Sequence, residues 1–317
     1  MKLGNHFTGA YFTNAALLFF TKSKLSHCLL LLTILSQLLI HSNASAGNAI
    51  DADTKVEIRY AINRFPAYPM ELLKEALATQ TTAYSFVGSD TIYQQRRSFI
   101  SVNEDVLNIT MSMTSNENEG ILNPIRIPLY KGLIGWRLAI VNQNNPHLFR
   151  NVSSPDQLKN FKAGQMHDWP DMGILKHNGL SVYGSSSFEG LFNMVEEGRI
   201  NYFPRSIIEV YEEVQDRPNK KLQVDEHIVI YYPTAFYYFV KATNGSLASD
   251  IEKGLEILIR NGKFNRIFMK YHEHYLKRAH LHNRKLLRLE NPLLPELTPL
   301  HRPELWLQAE SIMGKPK

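Results

Sequence analysis

A chain of 317 residues with 44% hydrophobic and 11% aromatic residues can bury a substantial core, which excludes an intrinsically disordered protein and suggests two structural units. The formal charge of +5 is unevenly placed, because Lys2, Lys22 and Lys24 are the only charged side chains before residue 47. Without that segment 32 basic groups face 30 acidic ones, a balance that excludes the strongly basic face of a nucleic-acid binder.

The first predicted element is an export signal over residues 1–46. Lys22 and Lys24 precede "CLLLLTILSQLLI" (28–40), an apolar run of 13 residues, which is short for a membrane span and suits the core of a signal peptide. Ala44-Ser45-Ala46 supplies a small-x-small cleavage pattern, so the mature chain is expected to start near Gly47, with an uncleaved anchor as the alternative. Cys28 precedes the apolar run, unlike a lipoprotein cysteine, and its removal would leave a chain without thiol chemistry, disulfides or cysteine metal ligands.

Strands and helices then alternate. "KVEIRYAI" (55–62) reads as a strand and "PMELLKEALATQ" (69–80) as a helix, with Leu72, Leu73, Ala76 and Leu77 at helical spacing. Strands are predicted at 83–89, 105–113 and 132–142, and a helix at 92–102. A short helix at 153–160 begins with a serine cap and a proline in its first turn. Helices at 187–198 and 247–262 each end on a glycine suited to a left-handed stop. This alternation predicts an α/β protein with mostly parallel sheets covered on both faces. Residues 284–317, with prolines at 292, 295, 299, 303 and 316, are expected to form an extended C-terminal arm over the body.

Several residues invite a chemical reading. "RINYFPRS" (199–206) reads as a buried strand that ends in Arg205, whose guanidinium either clamps a carboxylate or phosphate or pairs with Glu209 one turn along. In "GQMHDWPDMG" (164–173), His167, Asp168 and Trp169 precede a helix; Asp168 caps it or faces a ligand, and Pro170 fits its first turn. Arg126 and Arg137 face either cleft or solvent, Trp136 reads as core, and Tyr231 and Tyr232 fit a connecting strand. His272, His274, His280 and His282 lack the spacing of a zinc hydrolase and read as a solvated helix face, and no glycine-rich phosphate loop or nucleophile elbow is present. No cofactor or metal is expected.

The order of elements, "IPLYKGLIGWR" (127–137), "LFNMVEEGRINYFPRS" and "IEKGLEILIRNGKFNRIFMKY" resemble the type II periplasmic solute-binding proteins, nearest to the amino-acid-binding extracellular solute-binding family 3, over roughly residues 54–275. The resemblance implies a two-lobe clamshell: lobe one from 50–130 plus 233–280, lobe two from 135–228, and a hinge of two crossing strands near "IPLYKG" and "VIYYPT". In the family, a Ser/Thr-rich strand end and an arginine of lobe one hold the ligand carboxylate. The matching stretch, "MSMTSNENEGI" (111–121), offers Thr114 and Ser115 but places Asn116 or Asn118 where the arginine belongs. The family's amine-binding aspartate of lobe two is matched by Arg205-Ser206. The resemblance therefore implies a site built from Arg205, Ser206, Thr114, Ser115, Asn118, His167, Asp168 and Trp169. The anionic group of the ligand would point toward lobe two. The implied function is a monomeric, non-enzymatic periplasmic protein that captures a small polar, anionic or amino-acid-like solute for an ABC permease or a membrane sensor. The alternative is a cyclohexadienyl-dehydratase-like lyase on the same fold, with His167, Asp168 or Asp171 as its acid.

Overall fold

The computed structural model describes residues 55–308 together with Ile312 and Met313. The expected signal segment, 1–46, and Gly47 lie outside the described residues. Among the described residues no helix is long and apolar enough to cross a membrane.

The first strand, β1 (Val56–Ala61), leads through a tight turn at Ile62–Arg64 into α1 (Ala67–Leu77) and returns parallel to itself as β2 (Tyr84–Ser89). The predicted stripe of α1 faces inward, with Leu72, Leu73 and Ala76 fully buried. After α2 (Gln95–Asn103) the strand predicted from residue 105 begins only at Ile109, as β3 (Ile109–Met113). The amides of Val106 and Leu107 are instead used to close α2, both donating to the Ser101 carbonyl, with Asp105 at positive φ in the turn. Next come α3 (Asn116–Ile121) and β4 (Asn123–Ile125).

Beyond them the chain enters a second sheet system through a 3-10 turn at Leu133–Gly135 and β5 (Trp136–Asn142). There α4 (Pro155–Leu158) has the predicted cap, Ser154 Oγ accepting from the Gln157 amide. It is followed by β6 (Lys162–Met166), α5 (Pro170–His177), β7 (Ser181–Ser185), α6 (Phe188–Glu196), β8 (Phe203–Ser206), α7 (Val210–Gln215), β9 (Leu222–Val224) and β10 (Ile228–Tyr231). The chain then recrosses to β11 (Phe236–Val240), which lies between β3 and β4, and finishes that side with α8 (Gly245–Arg260) and α9 (Lys263–Ala279). Gly198 and Gly262, at φ +72° and +73°, stop α6 and α8 as expected.

The sheets are mixed and not mostly parallel. Pairs β1–β2 and β6–β7 are parallel, whereas β11 runs antiparallel to β3 and β4, and β5 runs antiparallel to β8, β9 and β10. The reason is topological: β5 and β11 each enter their sheet from a crossing between the two systems, opposite to the sense of their neighbours.

The crossing expected as a strand at 127–132 is a turn, and the second runs irregularly from Tyr232 to Ala235. The two still lie side by side, with the Leu129 amide on the Phe236 carbonyl (2.9 Å) and the Tyr232 amide on that of Gly135 (3.3 Å). The C-terminal arm is also more structured than expected. It opens with β12 (Lys285–Arg288), parallel to β10, and the backbone of Glu290 bonds twice to the Asn178 side chain. It then crosses behind the hinge, where Arg302 pairs with Glu256 of α8 and the Leu307 amide meets the Lys131 carbonyl at 2.8 Å.

Candidate functional site

Between the two sheet systems lies a cavity of about 570 Å³. Lobe one contributes Arg64 and a set of rings, and lobe two contributes Arg137, Trp169, Asp171, Arg205 and Glu209.

Strand β8 delivers Arg205 into this wall because every residue of the strand is buried and the guanidinium has aromatic and acidic company. It lies 4.8 Å from the Trp169 ring centre and 5.3 Å from those of Phe188 and Phe203. Helix α7, one turn on, brings two acids back over it: Nε reaches Glu213 at 3.0 and 2.7 Å, and Nη2 reaches Glu213 at 2.5 Å and Glu209 at 3.0 Å. Burial alone would push Arg205 down, but Glu209 and Glu213 outweigh it and hold the charge. Arg205 therefore lines the cavity as part of a cluster with one surplus negative charge. The anion clamp expected of it is not free, because its donors already face two carboxylates.

Behind this cluster Arg137 projects from β5 and bonds Asp171 at 2.7 Å, while Asp171 also accepts from the Tyr232 hydroxyl. Both charged groups are almost fully buried. Desolvation is the largest single influence on Arg137 and lowers its pKa, but Asp171, Tyr232 and Glu209 together outweigh it, so the net shift is upward.

Arg64 is different. It follows the end of β1, where open α/β sheets present ligand-binding groups, and is half buried with no carboxylate within 4.0 Å among the described residues. Its Nη2 makes one long contact, 3.5 Å to the Met111 carbonyl, and its Nε is buried without a partner. Burial lowers its pKa, the expected signature of a cation that lacks an acid. In the same cavity wall, His272 of α9 is 4% exposed, has both ring nitrogens unpartnered, and packs with its ring centre 4.5 Å from that of Tyr68. Desolvation drives its pKa down to about 4, so it is neutral at neutral pH. It is a cavity-wall residue and not part of the solvated helix face expected for it.

Of the eight residues expected at the site, Arg205 and Trp169 line the cavity. Thr114 donates to Glu119 (2.6 Å), Ser115 caps α3, and Asn118 donates to the Met113 carbonyl (2.8 Å), so all three serve the local turn. Ser206 is buried and bonds Glu209 through its amide. His167 and Asp168 are exposed, with His167 Nδ1 3.1 Å from the Ser185 carbonyl. Asp168 is not the cap of α5 either, since Trp169 occupies that position without a side-chain bond. Arg126 pairs with Glu119 at 2.5 Å. Sequence reasoning missed Arg64 and read His272 as solvated, while Glu209 appeared there only as the partner of Arg205, a pairing present at 3.0 Å. The signal available for Arg64 was its place just past the end of a predicted strand.

By sequence, the chain matches no family model and no curated protein. By structure it is similar to the probable amino-acid ABC transporter extracellular-binding protein ytmK of Bacillus subtilis (18% identity, TM-score 0.54, covering 69% of this chain and 98% of that one). It is also similar to the BvgS VFT2 domain of Bordetella pertussis (13% identity, TM-score 0.51, 68% and 92% covered). A third similar structure is an ancestral arginine-binding protein bound to arginine (14% identity, TM-score 0.50, 68% and 98% covered). At such identities the likeness speaks to architecture, and that architecture is the two-lobe clamshell of the type II periplasmic solute-binding fold.

Proposed function

We propose that this protein is a solute-binding protein whose cleft takes a small zwitterionic, amino-acid-like molecule, carboxylate on Arg64 and amine on Glu209. The observation that carries this reading is the charge of the cavity wall. Arg64 is a cation without an acid on one side, and the Arg205–Glu209–Glu213 cluster has a surplus acid on the other. A dipolar solute compensates both, and a guanidinium offers the paired donors that a carboxylate needs. This orientation is the reverse of the one that the resemblance implies for Arg205 as an anion clamp.

The lobes would span 50–130 plus 233–280 and 135–228, a division supported by the separate sheets, with β12 added to lobe two. Export to the periplasm with cleavage near Gly47, and delivery to an ABC permease or a membrane sensor, complete the proposal. The named likeness to a probable amino-acid ABC transporter extracellular-binding protein supports the permease as partner. Of the acids considered for a lyase, Asp171 alone lines the cavity, and it is held by Arg137 and Tyr232.

The test is to load the purified protein with a mixture of amino acids and organic acids, wash it, and analyse what is released by mass spectrometry. Recovery of one unaltered zwitterion is the expected result. Release of a dehydrated or decarboxylated product would overturn the binding reading.

A further inference from the structure

Beyond its two charged poles the cavity is walled by rings and thioethers. Tyr271 and Tyr275 stand four residues apart on one face of α9, and both line the cavity, as does His272. Phe236 begins β11, Trp169 closes the wall from lobe two, and Met111 and Met113 belong to β3. The four rings are half buried, which leaves apolar surface turned to the cavity. Thioethers and ring faces favour flat, polarizable groups.

The remaining titratable groups of the wall decide what else the solute can carry. Asp171 is engaged by Arg137, and Glu213 by Arg205. Once Arg64 and Glu209 hold the solute's carboxylate and amine, a third charge of either sign would meet no unpaired opposite charge among the residues that line the cavity. His272 supplies none, since burial keeps it neutral.

We infer that the cleft is selective for zwitterions bearing a flat, uncharged side group, aromatic ones first, and against those with charged side chains. This rests on the reading of the cleft as a zwitterion site.

The experiment is calorimetric titration of the full mature protein with L-phenylalanine, L-alanine, L-arginine, L-glutamate and 3-phenylpropionate. L-Phenylalanine is expected to bind at least tenfold more tightly than each of the others. Trp169→Leu and Tyr275→Leu, checked for folding by circular dichroism, should each weaken L-phenylalanine at least fivefold. L-Arginine or L-glutamate binding more tightly than L-phenylalanine would overturn the inference, as would L-alanine binding as well as L-phenylalanine. Equal binding of 3-phenylpropionate and L-phenylalanine would instead count against the amine contact at Glu209 while supporting the aromatic wall. Binding of none of the five would reject both.

Discussion

Replacing Asp171 by asparagine isolates the value of one charge in the wall of the cleft. The side chains of Arg137 and Asp171 are only 4% and 6% exposed, and their 2.7 Å contact has almost no solvent screening. Asparagine has nearly the same shape and can still accept from the Tyr232 hydroxyl, so little is lost except the negative charge. Arg137 cannot shed its proton, and its Nε already lacks a partner. Removing one member of a buried pair in this way costs about 3–5 kcal/mol. For a domain of this size that loss lowers the melting temperature on the order of 10 °C. Differential scanning calorimetry of wild type and Asp171→Asn measures it directly. The double replacement Arg137→Met with Asp171→Leu should recover most of the loss, because it removes the buried charge together with its partner. A melting temperature within 2 °C of wild type for Asp171→Asn would refute the reasoning, since it would mean that Arg137 is solvated.

Because the folded protein refuses a proton on His272 (pKa about 4) that the unfolded chain accepts near 6.5, stability should fall as pH drops through this window, by up to about 3 kcal/mol. Chemical denaturation at pH 7 and pH 4.5 should show this decline, and His272→Phe should flatten it. Gly132 sits at φ +75°, and an added Cβ would lie 2.7 Å from the Trp306 ring of the C-terminal arm. Gly132→Ala is therefore expected to cost about 1–3 kcal/mol in a urea titration from the positive φ alone, and more because the Trp306 ring must shift; a loss below about 1 kcal/mol would contradict this. Expressed in a Gram-negative host, the chain should be recovered from the periplasm with its first residue within a few positions of Gly47, as read by intact mass.

The periodicity of the sequence made the longer helices and the strands β1, β2, β3, β5 and β8 legible, because apolar spacing and glycine stops depend on local geometry. The stripe of α1, the Ser154 cap and the glycine stops of α6 and α8 are examples. The hinge turn at 127–132 was not legible, since its apolar residues pair across the crossing to Phe236 rather than along a strand. Nor was β12, whose prolines downstream suggested extended chain while its partner β10 lies more than fifty residues earlier. Of the residues expected at the site from position, Arg205 and Trp169 line the cavity. Position suggested Glu209 as a partner of Arg205 but could not reveal Glu213, which reaches it because α7 folds back over β8, nor that no carboxylate among the described residues lies within 4.0 Å of Arg64.

The central claim is that Arg64 anchors a solute carboxylate in the cleft, and calorimetric titration of wild type and Arg64→Gln with L-phenylalanine tests it most directly. Glutamine keeps much of the length and polarity and removes the charge. Loss of a partly desolvated, charge-assisted contact costs about 2–5 kcal/mol, so affinity should fall by about 30-fold or more. The account predicts that loss in a variant whose circular dichroism and melting temperature match wild type. A folded Arg64→Gln protein that binds L-phenylalanine within threefold of wild type would contradict it.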